Sequence, residues 1–266
     1  MIRDITIGQY YPADSILHKL DPRVKLFATL IYIITIFVAS SFAQYALITL
    51  IVFGVIRLSQ VPFKFMVKGI KPILFVIIFA FLMNIFFTRG TPIFSVWRIS
   101  IAKEGIEMAF LMAARLILLI IGTSLLTLTS SPIRLTDGLE QAFSPLKKIG
   151  FPAHELAMMM TIALRFIPTL LEETDKIMKA QQARGADFES GNIFRRAKSL
   201  IPLLVPLFIA AFKRADELAN AMEARGYRGG EGRTKLNPLI YQRRDYIAYG
   251  LVLLFPLLIF GVGRLL

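Results

Sequence analysis

Long apolar runs separated by short polar turns fill the first half of the chain, and the pattern changes near residue 130. Before that point, runs at about 24–41, 43–58, 70–88 and 105–129 come close to the length that crosses a hydrocarbon core of about 30 Å. A fifth run lies at about 246–264. Between 130 and 245 the apolar stretches are broken by charges and prolines. Leu156 to Leu171 contains Arg165, and Ile201 to Phe212 is interrupted by Pro202 and Pro206. Such segments read as amphipathic helices lying along a membrane surface or against a transmembrane bundle. Three helices account for them, at about 133–148, 153–185 and 193–226. Pro132 can start the first, Gly150 and Pro152 separate it from the second, and Gly185 and Gly191 bracket the turn to the third; Gly226, Gly229, Gly230 and Gly232 form the exit.

The expected fold class is an all-α integral membrane protein with about five transmembrane helices and a surface region of about three long helices. Residues 1–129 form the first transmembrane region, 130–245 the helical surface region and 246–266 the last span. Composition agrees, since 56% hydrophobic residues, 22 Phe and a mean hydropathy of +0.63 exceed what a soluble domain of this size carries. The first span follows a polar, proline-containing segment and is not expected to be a cleaved signal peptide. The absence of cysteine excludes disulfides and thiolate metal sites.

A net charge of +13 raises the question of nucleic acid, but the basic residues gather beside the spans, as the positive-inside rule predicts. Arg23 and Lys25 precede the first span, and Arg57, Lys64, Lys68 and Lys71 fill the polar loop after the second, so both places are expected to be cytoplasmic. Arg89 to Lys103 then falls outside. The block 130–245 returns to the cytoplasmic side, carrying 18 of the 31 Lys and Arg and 13 of the 18 Asp and Glu.

Within that block one tripeptide occurs twice, as Ala183-Arg184-Gly185 and Ala224-Arg225-Gly226, 41 residues apart. At the same offset Asp175 falls on Asp216, Ile177 on Leu218 and Ala180 on Ala221, so the repeated unit is a helix end. A glycine closes a helix in the left-handed conformation, and a cation in the last turn faces the negative end of the macrodipole. Each copy thus presents an arginine at a rigid tip. Two such tips suggest a partner with two equivalent sockets, because the guanidinium fork suits carboxylates and backbone carbonyls across an interface.

Reactive centres are missing from the sequence. There is no GxxxxGK[ST] loop for a nucleotide and no HExxH motif; His18 and His154 are the only histidines, and no span carries paired aspartates for magnesium. No catalytic residue, metal site or cofactor is expected in this chain. Arg115 stands inside the fourth span, where a charge needs a partner, water or a neighbouring protein. Gly105, Ala109 and Ala113 line one helix face that another helix can approach closely. Asp21-Pro22 reads as an N-cap followed by proline at the first helical position.

The run Pro12-x-x-Ser15-x-x-His18-x-x-Asp21-Pro22-Arg23-x-Lys25, the spans after it and the two Ala-Arg-Gly helix ends together resemble the transmembrane T component of energy-coupling factor transporters. The similarity covers nearly the whole chain. It implies a scaffold joined to two ABC-type ATPases, which would hold the ATP and magnesium, and to a small substrate-binding membrane protein for a vitamin or metal ion. It further implies that Ala183, Arg184, Gly185, Ala224, Arg225 and Gly226 seat in grooves of the two ATPases. The apolar positions Met158, Met159, Leu164, Leu171, Leu203, Leu207 and Phe208 are then either docking surface for the substrate-binding protein or internal packing. Pro12, Ser15, His18, Asp21, Pro22 and Arg23 are assigned to anchoring the first span. The implied location is a prokaryotic cell membrane, with the N-terminus and the helical surface region cytoplasmic. Two other classes remain open: a self-sufficient secondary carrier, revealed by gradient-driven uptake without ATPases, and a membrane enzyme, revealed by turnover of the purified chain. No internal repeat is seen among the spans, where a carrier normally shows one.

Overall fold

A computed structural model describes residues 10–96, 99–188, 192, 194, 198–229 and 238–265. Among the described residues the fold is all-α apart from one small hairpin. A single turn, α1 (Ile16–Lys19), leads into α2 (Pro22–Val38), α3 (Phe42–Ser59), α4 (Phe63–Ile70) and α5 (Leu74–Phe87). The hairpin β1 (Pro92–Val96) and β2 (Ile99–Ala102) is antiparallel and precedes α6 (Lys103–Thr129). Then follow α7 (Pro132–Phe143), α8 (Ala153–Ala183), α9 (Ile201–Ala224) and α10 (Arg243–Leu265). Gly191, Gly230 and Gly232 of the expected turns, and Arg98 of the expected outer loop, lie outside the described residues.

Among the described residues, five helical segments are long and apolar enough to cross a membrane: α3, the continuous run Phe63–Phe87, α6, α8 and α10. The number matches the hydropathy reading, but the set does not. The first expected span, 24–41, is realised as α2, which has 17 residues and so rises about 25 Å, at the lower limit for a span. The run Leu156–Leu171, expected in a membrane-surface helix at about 153–185, belongs to a continuous helix of 31 residues, Ala153–Ala183, that passes through Pro168 and is by length and hydropathy among the five able to cross. The basic stretch after the second span was expected to be a loop; it is α4, joined to α5 by a 3-10 turn at Lys71–Ile73 where Pro72 removes a backbone donor. In the outer segment the hairpin replaces an irregular loop.

The chain divides into two compact units, one running to Leu139 and resuming at Leu239–Leu266, the other spanning Glu140–Pro238. In the first, α6 is the central helix, packed by α2, α3, α4 and α5, while α10 packs on α2 and α3. Ile36, Ile48, Met66 and Ile259 are fully buried at its core. Phe75 and Phe87 on α5 are among the most exposed apolar side chains. In lipid such exposure costs little, so close packing rather than dehydration holds the helices together. Gly105 supplies it between α6 and α5: a Cβ there would stand 3.0 Å from the Asn84 carbonyl oxygen and 3.3 Å from that of Ile85. Ala109 on the same face is fully buried and Ala113 half-buried, so this small-residue face serves internal packing.

In the second unit α8 packs on α9. The helix expected at about 133–148, α7, which begins in the first unit, ends earlier, at Phe143, and continues as a 3-10 turn over Ser144–Ile149 that Gly150 closes at φ +84°. The third regular helix begins at Ile201, so Pro202 sits in its first turn, where its missing N–H costs nothing, and only Pro206 lies inside.

Candidate functional site

The two Ala-Arg-Gly ends fold alike. Arg184 and Arg225 are the C-caps of α8 and α9, with φ, ψ of −87°, 5° and −89°, 7°. Gly185 and Gly226 follow at φ +88° and +72°, in the left-handed region that favours glycine. The N–H of Gly185 donates to the Gln182 carbonyl at 2.9 Å and that of Ala186 to Gln181 at 2.9 Å. At the offset of the repeat, Gly226 donates to Glu223 at 2.8 Å and Tyr227 to Met222 at 3.0 Å. Both are Schellman closures, which satisfy the last carbonyls and fix the backbone at the arginine. Both arginines are exposed, and among the described residues neither guanidinium has a hydrogen bond or ion pair.

One contact between the two helices was missed by sequence reasoning. Arg214 of α9 forms an ion pair with Glu173 of α8, both side chains about three-quarters buried. Residues 173 and 214 are themselves equivalent at the 41-residue offset. The helices therefore meet at matching positions, and each arginine tip lies the same run beyond the ion pair, 173 to 184 and 214 to 225, about 16 Å along the axis. Extending the repeat comparison upstream to a Glu facing an Arg was the signal that would have found it.

The apolar candidates separate by exposure. Met159 (56% exposed) and Phe208 (65%) lie on the surface; Met158, Leu164, Leu171 and Leu207 are half-buried. Leu203 is buried at 6% exposure and packs internally, which removes it from a docking surface of this chain. The exposed face of α9 is formed instead by Ile201, Leu204, Val205, Phe208, Ile209 and Phe212, a stripe at helical spacing.

The N-terminal motif builds a connected set of contacts in the bundle unit. Ser15 caps α1, its oxygen accepting from the His18 N–H, while its hydroxyl lies 2.6 Å from His18 Nδ1. His18 Nε2 is 2.9 Å from the Tyr11 carbonyl, which fixes the neutral ring with Nε2 as donor and Nδ1 as acceptor. Burial pushes the His18 pKa below its ordinary value, only partly offset by the bond to Tyr11. Pro12 is exposed in the extended stretch before Ser15. Asp21 caps α2 with Pro22 in the first helical turn, as the dipeptide predicts. Its carboxylate accepts from the Arg23 N–H at 2.9 Å and from Arg23 Nε and Nη2 at 2.9 and 2.8 Å. Burial alone would raise the Asp21 pKa, but the Arg23 donors and charge outweigh it and hold the carboxyl below the usual range. Arg23 also lies over the Tyr241 ring at 3.7 Å. Asp245, almost fully buried, accepts from the Asp21 N–H at 2.9 Å and the Gln242 N–H at 2.8 Å, tying the start of α10 to the start of α2.

Two cations inside the bundle have partners. Arg115 donates through Nε to the Tyr45 hydroxyl at 2.8 Å and through Nη2 to the Ala39 carbonyl at 3.1 Å. Lys25 donates to the Thr129 carbonyl at 2.8 Å and the Ser130 hydroxyl at 3.1 Å. These bonds satisfy the helix ends of α2 and α6 respectively. Arg115 thus has the internal partner that a charge at this depth requires.

The sequence model of the family described as "CbiQ: Cobalt transport protein" matches residues 13–236, from the N-terminal motif through both arginine tips. The chain belongs to this family. Among curated relatives, the "Energy-coupling factor transporter transmembrane protein EcfT" of Clostridium kluyveri is 58% identical over 250 residues, covering 93% of each chain. The protein of that name from Ruminiclostridium cellulolyticum is 58% identical over 255 residues, 96% of each. That from Bacillus subtilis is 50% identical over 262 residues, covering 98% of this chain and 99% of its own. Membership in the CbiQ family makes this chain the membrane component of a transporter, and its apolar helices agree.

Proposed function

We propose that this chain is the scaffold of an energy-coupling factor transporter, carrying ATP-driven motion of two ABC-type ATPases to a small substrate-binding membrane protein. The observation that carries the reading is the pair of matched arginine tips, identically closed and equally far from an ion pair between equivalent positions. A pair of like ATPases presents two like sockets, and two rigid cationic tips meet that symmetry. ATP and magnesium belong to those partners. When the ATPases close on ATP, the tips follow, and the packed pair α8–α9 passes the displacement on as one element with two arrangements. Residues 130–245 act as this coupling region, on the cytoplasmic side with the N-terminus, and residues 1–129 and 246–266 hold it in a prokaryotic cell membrane. The exposed α9 stripe, with Met159, supplies docking surface for the substrate-binding protein, whose cargo is a vitamin or a metal ion.

The test is co-purification. Arg184→Glu with Arg225→Glu is expected to leave the protein inserted while the ATPases are lost, since removing one side of a desolvated charged contact costs about 2–5 kcal/mol. ATPases retained by the double variant at the wild-type level would sink the proposal.

A further inference from the structure

Helices α3 and α10 are joined at one end, where Gln44 Nε2 donates to the Ile259 carbonyl at 3.1 Å. Over the rest of their length both line a cavity of about 700 Å³, bounded on other sides by α1, α2 and α6. Its walls are apolar: Ile51 and Leu58 from α3, Ile247, Leu251 and Leu258 from α10, with Gly122 of α6 opposite. Ile247, Leu251 and Leu258 are 64%, 62% and 48% exposed, so the cavity is a groove reachable from the surface of the bundle. From Arg244 to Leu258 it follows α10 for about 21 Å, about two-thirds of a hydrocarbon core of about 30 Å.

Its polar lining singles out one residue. Lys25 is held by Thr129 and Ser130; the hydroxyls of Thr29, Tyr32 and Thr129 donate to the carbonyls of Lys25, Leu118 and Leu125. Arg244 lines the same groove, and its Nε is buried without a hydrogen-bond partner. Asp245, next to Arg244 in the chain, is engaged by the Asp21 and Gln242 N–H groups, and Asp21, whose N–H it holds, is itself engaged by Arg23. Among the described residues no ion pair balances Arg244. A buried guanidinium donor without a partner calls for an acceptor that is not part of the chain.

We infer that the groove binds an anionic membrane phospholipid, with an acyl chain lying between α3 and α10 and the phosphate accepting from Arg244. A phosphate supplies both the negative charge and the oxygen that the guanidinium lacks, and the apolar walls match hydrocarbon rather than a polar solute. The assignment needs only the membrane character of the chain and is independent of the ATPase reading.

The experiment uses the full chain, in its complex, in nanodiscs of phosphatidylcholine with phosphatidylglycerol. Either lipid carries a photoreactive diazirine on an acyl chain, and labelled peptides are mapped by mass spectrometry. Phosphatidylglycerol is expected to label the α3 and α10 groove peptides about fivefold more than phosphatidylcholine, the ratio that about 1 kcal/mol per basic group gives. Arg244→Gln should equalise the two lipids. Ile51→Trp with Leu251→Trp should fill the groove and remove its label while lipid-facing α5 stays labelled. Equal labelling by both lipids in the wild type overturns the inference. So does a photoreactive residue at Leu251 that captures a protein helix instead of lipid in native membranes.

Discussion

Lys25 of α2 and Arg115 of α6 each satisfy the C-terminal end of the other's helix. Lys25 reaches the Thr129 carbonyl and Arg115 the Ala39 carbonyl, at the same sequence separations, 25 to 39 and 115 to 129. Two antiparallel helices are thereby fixed in register at both ends by cations on orphan carbonyls, where the helix dipole also favours positive charge. Replacing either with methionine is expected to lower stability by about 1–3 kcal/mol, because a buried carbonyl loses its donor. The two sites are about 21 Å apart along the helix, so the double variant should show additive losses to within about 0.5 kcal/mol. Thermal unfolding in detergent measures this; strong non-additivity would show that the two ends form one cooperative network.

Gly185→Ala and Gly226→Ala test whether the rigidity of the tips matters apart from their charge. Nothing lies within 4 Å of a Cβ at either position, so the penalty is conformational, about 1 kcal/mol for each left-handed residue. Faster amide exchange at Ala186 and Tyr227, and weaker ATPase retention with both arginines intact, are the expected results. Unchanged retention would mean that the guanidinium alone suffices.

The Glu173–Arg214 pair should respond to charge reversal. Glu173→Arg or Arg214→Glu alone places like charges together where α8 meets α9 and should reduce transport coupling. The double reversal should restore much of it. The pair is about three-quarters buried. A single reversal is therefore expected to cost more than the ~1 kcal/mol of a surface pair and less than the ~3–5 kcal/mol of a fully buried one, and substrate uptake is the sensitive readout. If the double reversal is as impaired as the singles, the pairing does not align the tips.

His18 makes stability depend on pH. Its folded pKa lies below the ordinary value of 6.5, chiefly because burial disfavours the charged ring. The unfolded chain therefore binds the proton more readily. The contribution is fully present above about pH 6.5 and is lost as pH falls through the folded pKa. Thermal midpoints between pH 5 and 8 should rise with pH in the wild type, with a smaller slope in His18→Gln. Identical slopes would assign the dependence to other groups.

The spans at α3, α6 and α10 were legible because runs of apolar residues report length directly. The arginine tips were legible because their closure is local: three residues and one glycine conformation make a Schellman turn. The α4 helix was hidden by its lysines, which read as a loop; Met66 buries one face of that helix against the core while the lysines stay outside. Leu203 was left open between docking and internal packing for the complementary reason, since an apolar residue on an amphipathic helix carries no mark of which side its neighbour will cover.

By itself the sequence determined the helical membrane class, the doubled arginine ends and the capping of α2 by Asp21, all of them set by interactions within a few residues. Only the tertiary structure decided that Glu173 meets Arg214, that Lys25 and Arg115 exchange caps, that Asp245 holds the Asp21 backbone, and that α3 and α10 leave a groove with an unpaired Arg244 in it. The exchanged caps and the Asp245 bond join residues far apart in the chain, and every one of these contacts depends on which helix faces which. Periodicity says that a helix has a face to bury, but the identity of the covering partner is set by packing among all the helices at once.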